Sequence, residues 1–189
     1  MASALVVTYT EKSIGFFVEL LTAAEIDDRV HVKSCGEARR LLLERDFDYV
    51  IINGPLKDER GESLSMDIAE NGLTQVILIV SNEFYEAISQ TTEEAGVLTV
   101  VKPLSKDILW SALKLAMSAH NRFKKINKEN MKLKQRIEDI RVIDRAKYIL
   151  FSHYKMSEEE AHRYIEKQAM DMRVTRRTIA ENILKTYDT

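Results

Sequence analysis

Residues 50–56 read VIINGPL, an apolar run that stops at Asn53, Gly54 and Pro55. An Asn followed by a Gly after β-branched residues is typical of a hairpin turn, because both residue types tolerate a positive φ. The residues that follow, LKDERGES (56–63), are polar and do not read as a returning strand. We therefore interpret the run as a buried strand that ends at Asn53, and the flanking sequence indicates the sheet to which it belongs.

Short runs rich in Val and Ile alternate with stretches of helical spacing throughout the first 104 residues. The runs are ALVVT (4–8), RVHVK (29–33), YVIIN (49–53), QVILIVS (75–81) and VLTVVK (97–102). Such alternation implies parallel strands covered by helices on both faces. We expect an α/β flavodoxin-like fold, with a five-stranded parallel sheet in the order 2-1-3-4-5 and its functional groups at the carboxyl ends of the strands.

Composition indicates an ordinary globular protein with an uneven charge distribution. Hydrophobic residues make up 45% of the 189 residues and charged residues 31%. Residues 1–120 hold 11 Lys and Arg against 19 Asp and Glu, whereas residues 121–189 hold 17 against 11. Any polyanionic partner is therefore expected on the second part. The start of the chain has neither a basic segment followed by an apolar one nor a membrane span, so we expect a cytoplasmic protein.

A long helix is predicted after Pro103, because residues 105–154 contain no Gly or Pro and are dense in Lys, Leu, Glu, Ile and Ala. This helix is expected to be either continuous or interrupted near Asp144. Residues 105–143 are expected to form a linker that continues from the last helix of a first domain at 1–118.

An apolar seam runs along this helix with steps of three and four, the a/d pattern of a coiled coil. Its members are Leu109, Ala112, Ala116, Ala119, Phe123, Ile126, Asn130, Leu133, Ile137 and Ile140. Asn130 falls on an a position, where a buried amide favours a two-stranded parallel pairing. We predict a homodimer through the part from Phe123 to Ile140. The alternative is a stripe that packs on the chain's own first domain, as Leu113 and Met117 are expected to do.

Residues 144–189 are predicted to form a separate domain of three short helices. Ser157 and Glu160 have the SxxE spacing of a capping box, which places the start of the second helix there. A third helix is predicted to begin near Thr175, with Ile179 and Ile183 on its apolar face.

The first domain resembles the receiver domain of two-component response regulators over residues 3–118. The most specific match is VVKPLS (100–105), in which the fifth strand ends in Lys102 followed by Pro103. Ser81 stands where that family keeps a switch Ser or Thr. Asn53 stands where the family has its phosphate-accepting Asp.

The resemblance implies a phosphoryl-transfer site that lacks its chemistry here. An acceptor carboxylate and two further carboxylates after the first strand, which hold Mg²⁺, are needed in that family. Asn53 is an amide, Thr8 and Tyr9 follow the first strand, and Thr99 stands where an aromatic switch residue is usual. We therefore expect a pseudo-receiver with no catalytic residue, no metal and no cofactor.

Lys102 then needs another role. It is expected to hydrogen-bond Asn53, Ser81 or a backbone carbonyl. The alternative is that Lys102, Ser81, Thr8 and Asn53 bind a small anion or metabolite at the strand ends. Tyr9 could instead fill the space.

The last domain resembles the ANTAR domain, an RNA-binding antiterminator module often attached to receivers, over RAKYILFSHYKMSEEEAHRYIEKQAMDMRVTRRTIAENILK (145–185). The matching positions are Ala146 with Lys147, Ala161, Ala169 with Met170, and Ala180. The turn MRVTRR (172–177) departs from the pattern.

Exposed basic side chains are the RNA-binding candidates in this domain, because Arg and Lys bind phosphates and Arg stacks on loop bases. They are Lys147, Arg163, Lys167, Arg173, Arg176, Arg177 and Lys185. Tyr148 or Tyr164 is a candidate for stacking. The alternative is an ordinary solvated face.

The sequence and the two resemblances together predict a bacterial regulator that binds stem-loops in nascent RNA and promotes transcription antitermination. It is expected to act as a homodimer, without enzymatic activity or membrane attachment, and under the control of a protein or small ligand instead of phosphate. The alternatives are a DNA-binding response regulator and a phosphorylation-controlled one.

Overall fold

The computed structural model describes residues 2–70 and 72–187, which form two compact units, Met1–Lys125 and Ile126–Thr189. The first unit contains a five-stranded parallel sheet in the order β2-β1-β3-β4-β5. Its strands are β1 (Ser3–Val7), β2 (Asp28–Val32), β3 (Tyr49–Asn53), β4 (Gln75–Val80) and β5 (Leu98–Val101). The predicted fold and strand order are confirmed.

Helices cover both faces of this sheet. They are α1 (Glu11–Ala23), α2 (Cys35–Glu44), α3 (Glu62–Glu70), α4 (Asn82–Glu94) and the first part of α5 (Lys106–Tyr154). Alternate strand residues enter different apolar layers: Ile51 packs in the layer with α1 and α5, whereas Ile52 packs in the layer with α2 and α3. Because both faces are buried, the central strands read as continuous apolar runs.

The NG pair after β3 does not form a hairpin. Asn53 pairs with Ile79 of the parallel strand β4, and the Gly54 amide donates to the Ile79 carbonyl at 2.9 Å. A Cβ at position 54 would collide with the backbone carbonyl of Arg60. Glycine is therefore required here by close backbone approach, and not by a two-residue turn.

The first part of α5 packs on the sheet and corrects part of the predicted seam. Leu109 and Ala116, assigned to the coiled coil, are completely buried in the core of the first unit together with Leu113. Met117 packs against the same core, as predicted. The stripe facing the chain's own domain is thus the correct alternative for this segment.

His120 of α5 makes two polar contacts with segments that lead into the sheet. Its Nε2 lies 3.1 Å from Asp48 Oδ1, and its Nδ1 lies 3.1 Å from the Leu73 carbonyl oxygen. The side chain is buried, and its ring packs against Tyr49 with 5.3 Å between ring centroids. One side chain therefore joins the helix to the segments that precede β3 and β4.

The second unit is a small helical bundle formed by the end of α5, α6 (Glu158–Met172) and α7 (Arg176–Tyr187). Helix α5 continues through Asp144 to Tyr154, so it is not interrupted there and supplies the first of the three predicted tail helices. The buried core consists of Ala146, Leu150, Ala161, Ile165, Ala169, Ile179, Ala180 and Leu184. Small alanines from all three helices allow their close approach.

The predicted capping box at the start of α6 is present. The Ser157 hydroxyl accepts from the Glu160 amide at 3.3 Å, and the Glu160 carboxylate accepts from the Ser157 amide at 2.8 Å. These bonds lower the pKa of Glu160. Within the part of the chain that the structure describes, no helix has the length and apolar character needed to cross a membrane.

Candidate functional site

A cavity of about 390 Å³ lies at the carboxyl ends of the strands in the first unit. Its lining includes Tyr9, Asn53 and Lys102, together with Pro55 and Pro103. Tyr9 remains 45% exposed, so it borders the cavity without filling it. The structure thus brings together three of the side chains that the sequence singled out.

Hydrogen bonds hold the polar groups at this edge of the sheet. Asn53 Nδ2 donates to Thr8 Oγ1 at 3.1 Å, and Thr8 is completely buried. Lys102 Nζ donates to the Gly54 carbonyl at 2.5 Å, so a backbone carbonyl is its partner. Burial lowers the pKa of Lys102. The amide of Asn53 and the amine of Lys102 line the cavity and can bind a small polar ligand, but the lining supplies no carboxylate nucleophile.

Ser81 and Thr99 lie outside the lining of this cavity. Ser81 is the N-cap residue of α4, and its side chain makes no capping bond. The Thr99 hydroxyl is 2.9 Å from the Thr92 hydroxyl, which joins β5 to α4. The predicted group of pocket residues is therefore only partly assembled.

Three carboxylates that follow β1 and β3 in the sequence have partners outside the cavity. Glu11, the first acidic residue after β1, forms an ion pair with Lys33 at 3.2 Å. Asp58 accepts from the Gly36 amide at 3.0 Å, and Glu59 pairs with Arg39. Across residues 2–70 and 72–187, no group of three or more His, Cys, Asp or Glu side chains is placed to hold a metal ion.

Most of the predicted RNA-binding side chains in the second unit form ion pairs within the bundle. The pairs are Lys147 with Asp144 and Glu158, Arg163 with Glu159, Arg176 with Glu166, and Arg177 with Asp139 and Glu181. Arg177 is the most constrained, with both contacts at 2.7 Å. Its hydrogen bond lowers the pKa of Asp139 and raises that of Arg177. Arg177 therefore joins α7 to α5, a structural role.

The other three candidates are differently placed. Lys167, Arg173 and Lys185 are exposed, and none of them forms an ion pair with any residue that the structure describes. Arg173 occupies the left-handed position that ends α6, with φ of 53°. These three cations are the most available for a polyanion.

A groove of about 320 Å³ between α5, α6 and α7 carries a set of aromatic residues that sequence reasoning largely missed. Tyr154, Tyr164 and Tyr187 line it, and of these only Tyr164 was proposed for stacking. Tyr148 does not line this groove. The position of Tyr154 could have been predicted from helical spacing. It follows the core residue Leu150 by four positions and hence lies on the same face of the helix.

The remaining seam residues on α5 are exposed in the single chain. Phe123, Ile126, Leu133, Ile137 and Ile140 are each at least 42% exposed, and Asn130 is exposed as well. A row of large apolar side chains in water is unfavourable for an isolated helix.

Comparison with known proteins identifies the second unit. Residues 131–184 match the ANTAR domain family. The transcriptional regulatory protein PdtaR of Mycobacterium tuberculosis is 26% identical over 142 residues, which cover 75% of this chain and 69% of that protein.

Solved structures identify the fold of the first unit. The signal receiver domain of an HD domain-containing protein from Pseudomonas fluorescens Pf-5 superimposes with a TM-score of 0.58 and 21% identity, over 66% of this chain and 92% of that one. A response regulator receiver domain from Clostridium thermocellum gives a TM-score of 0.57 and 19% identity, over 67% and 99%. The chain therefore combines a first unit that has the receiver fold with a segment, residues 131–184, that matches the ANTAR domain family.

Proposed function

We propose that this protein binds stem-loops in nascent RNA through its ANTAR domain and so promotes transcription antitermination in the bacterial cytoplasm. The observation that carries the proposal is the ANTAR match at 131–184. It falls on a bundle whose core contains the four alanines from which the resemblance was drawn, Ala146, Ala161, Ala169 and Ala180. The excess of basic residues in 121–189 supports a polyanionic partner.

The exposed cations Lys167, Arg173 and Lys185 are proposed to contact RNA phosphates first. Their charge is not neutralised by a described carboxylate, so binding RNA costs no intramolecular ion pair. Arg176 and Arg163, whose ion pairs lie on the surface, are proposed as secondary contacts, because exchanging a surface ion pair for a phosphate costs little.

We propose that the receiver is controlled by binding and not by phosphorylation. The acceptor position carries the amide of Asn53, and Thr8 and Tyr9 follow β1 where a metal-binding pair of carboxylates would be needed. Lys102 Nζ donates to the backbone carbonyl of Gly54, and the amine is partly desolvated. A regulatory protein or a small polar ligand at the cavity beside Asn53 is the proposed input.

A parallel homodimer through the exposed α5 seam is proposed to present two ANTAR domains to one RNA. In the heptad register that places Asn130 at an a position, Glu129 is at g and Lys134 at e, which would pair across a parallel dimer. Two linked sites bind adjacent stem-loops with higher avidity than either site alone.

A salt-matched binding assay tests the proposal. Stem-loop RNAs enriched from a transcribed genomic library are compared with duplex DNA of the same sequence, using the full-length protein. We expect RNA to bind at least about tenfold more tightly than DNA, because a sequence-independent phosphate contribution would favour neither by that margin. Equal affinity would instead favour a DNA-binding regulator.

A further inference from the structure

The groove between α5, α6 and α7 is lined by apolar side chains, among them Met156 and Met172, together with tyrosines and two side-chain amides. We call it the tyrosine groove and define it by Tyr154 of α5, Tyr164 and Gln168 of α6, and Asn182 and Tyr187 of α7. Leu150 and Ile179 also line it, and both are buried. Its volume of about 320 Å³ is enough for one planar ring system with space for its sugar at the entrance.

The aromatic walls are held in place. The hydroxyl groups of Tyr154 and Tyr187 are hydrogen-bonded to each other, and their rings meet edge to face at 86° with 6.0 Å between centroids. This bond raises the pKa of Tyr187. Tyr164 is 40% exposed and offers ring surface to a ligand. Prearranged aromatic rings reduce the entropy lost when a flat ligand stacks on them.

Two side-chain amides in the tyrosine groove have unused hydrogen-bonding capacity. Neither the Gln168 nor the Asn182 amide makes a side-chain hydrogen bond with any residue in 2–70 or 72–187. Each therefore offers both a donor and an acceptor. Side-chain amides pair in bidentate fashion with the N6 and N7 edge of adenine.

Cations flank the same surface. Lys167 follows Tyr164 by three residues on α6, and Lys185 follows Asn182 by three residues on α7, so each lies one turn along from a groove residue. Both are exposed and form no described ion pair. A base in the tyrosine groove would thus have its flanking phosphates near positive charge.

From these observations we infer that the tyrosine groove binds a single unstacked purine of an RNA loop, with adenine preferred. Tyr164 stacks on the base, and Asn182 and Gln168 read its edge. The inference rests on the proposed function, and it adds a base-reading site to the phosphate contacts. An apolar segment of a protein partner fits less well, because it would leave both amides unpaired beneath it.

The experiment uses a hairpin RNA pool with a fixed stem and a randomised loop, selected on the full-length protein. Sequencing shows whether one loop position is enriched in purines. The dissociation constant of the best hairpin is then measured at one salt concentration for the wild type, Tyr164→Ala and Asn182→Leu, with Phe151→Ala as the matched control. Phe151 is a more exposed aromatic residue of the same bundle, at 59%, and lies outside the groove.

We expect an adenine-enriched loop position. Tyr164→Ala is expected to weaken binding roughly 5- to 100-fold, the range for loss of one stacked base. Asn182→Leu keeps the number and branching of the side-chain heavy atoms but removes the amide, so it should abolish the preference for adenine at that position. Phe151→Ala should stay within about twofold of the wild type. Thermal unfolding of each variant confirms that it is folded, and quenching of 2-aminopurine at the enriched position tests stacking without any substitution.

Two outcomes overturn the inference while leaving RNA binding intact. One is an enriched hairpin that binds both groove variants as tightly as the wild type, and the other is 2-aminopurine fluorescence that does not change on binding. If the wild type enriches no hairpin at all, the proposed function itself fails, and the inference fails with it.

Discussion

Near the end of β3, Asn53 and Lys102 each donate a hydrogen bond to a neighbouring group. The Asn53 amide donates to the buried Thr8 hydroxyl, and Lys102 donates to the Gly54 carbonyl. Both residues could be predicted to matter, because they occupy fixed places in strand-end motifs. Their actual partners could not, because a choice among several nearby acceptors depends on ångström-scale backbone positions.

The wild type and Asn53→Asp should both fail to form an acyl phosphate with acetyl phosphate and Mg²⁺. The substitution restores the nucleophile, but Thr8 and Tyr9 still provide no carboxylates for the metal. Intact-mass spectrometry checks this directly. A stoichiometric phosphate adduct on the wild type would overturn the non-phosphorylated account, and one on Asn53→Asp alone would show that the metal pair is dispensable.

Gly54→Ala should destabilise the first unit by about 2 kcal/mol or more, because the new methyl group meets the Arg60 carbonyl and the backbone must shift. Gly15→Ala in α1 is the matched control. It adds a methyl group with nothing within 4 Å, and should stabilise the helix by about 0.5–1 kcal/mol. Urea unfolding measures both, and equal effects of the two substitutions would contradict the close approach.

Among the strands and helices, all five strands could be predicted from the sequence. For α5, the apolar face could be predicted, but what packs against each part of that face could not. β-branched runs between helical stretches predicted all five strands, because burial on both faces leaves a continuous apolar pattern. The same three-and-four spacing continues through α5, but Leu109 and Ala116 face the sheet, whereas Leu133 and Ile137 are exposed. Periodicity gives the face of a helix that is apolar, and it does not identify what covers that face.

Leu133→Lys should convert the proposed dimer to a monomer at micromolar concentration, because it places a charge in the centre of the proposed seam. Met131→Lys is the control: Met131 is 60% exposed, slightly more than Leu133 at 53%, but lies off the seam. Sedimentation velocity distinguishes the two. A wild type that sediments as a monomer, or two variants that behave alike, would show that the seam does not form the proposed dimer.

The ion pair between Asp139 of α5 and Arg177 of α7 should weaken as the pH falls. The hydrogen bond from Arg177 lowers the pKa of Asp139 in the folded state. Its stabilising contribution is therefore present above the unfolded pKa of about 4 and is lost as the pH falls through the folded pKa. Arg177→Met should lower the melting temperature at about pH 6. The difference in melting temperature from the wild type should narrow as the pH falls below about 4, because the carboxyl group of Asp139 then takes up a proton. Circular dichroism measures it, and a difference independent of pH would rule out the Asp139 contact as its source.

For the whole molecule, the division into an acidic receiver fold and a more basic ANTAR domain could be seen in the sequence as a charge asymmetry. The groove could not be predicted in the same way. Tyr154 and Tyr187 are 33 positions apart and form no local pattern, so only the packing of the three helices brings them together. Binding surfaces assembled from separate helices in this way are visible in the structure and not in sequence motifs.

The central claim is that the ANTAR domain of this chain acts on RNA. The most direct measurement is ultraviolet crosslinking of the full-length protein in cells, followed by sequencing of the attached RNA, with an uncrosslinked sample as background. We expect enrichment of stem-loops in transcript leaders, positioned to compete with a terminator hairpin, and loss of that enrichment in Tyr164→Ala. Crosslinked RNA that does not rise above background, or that merely follows transcript abundance, would contradict it.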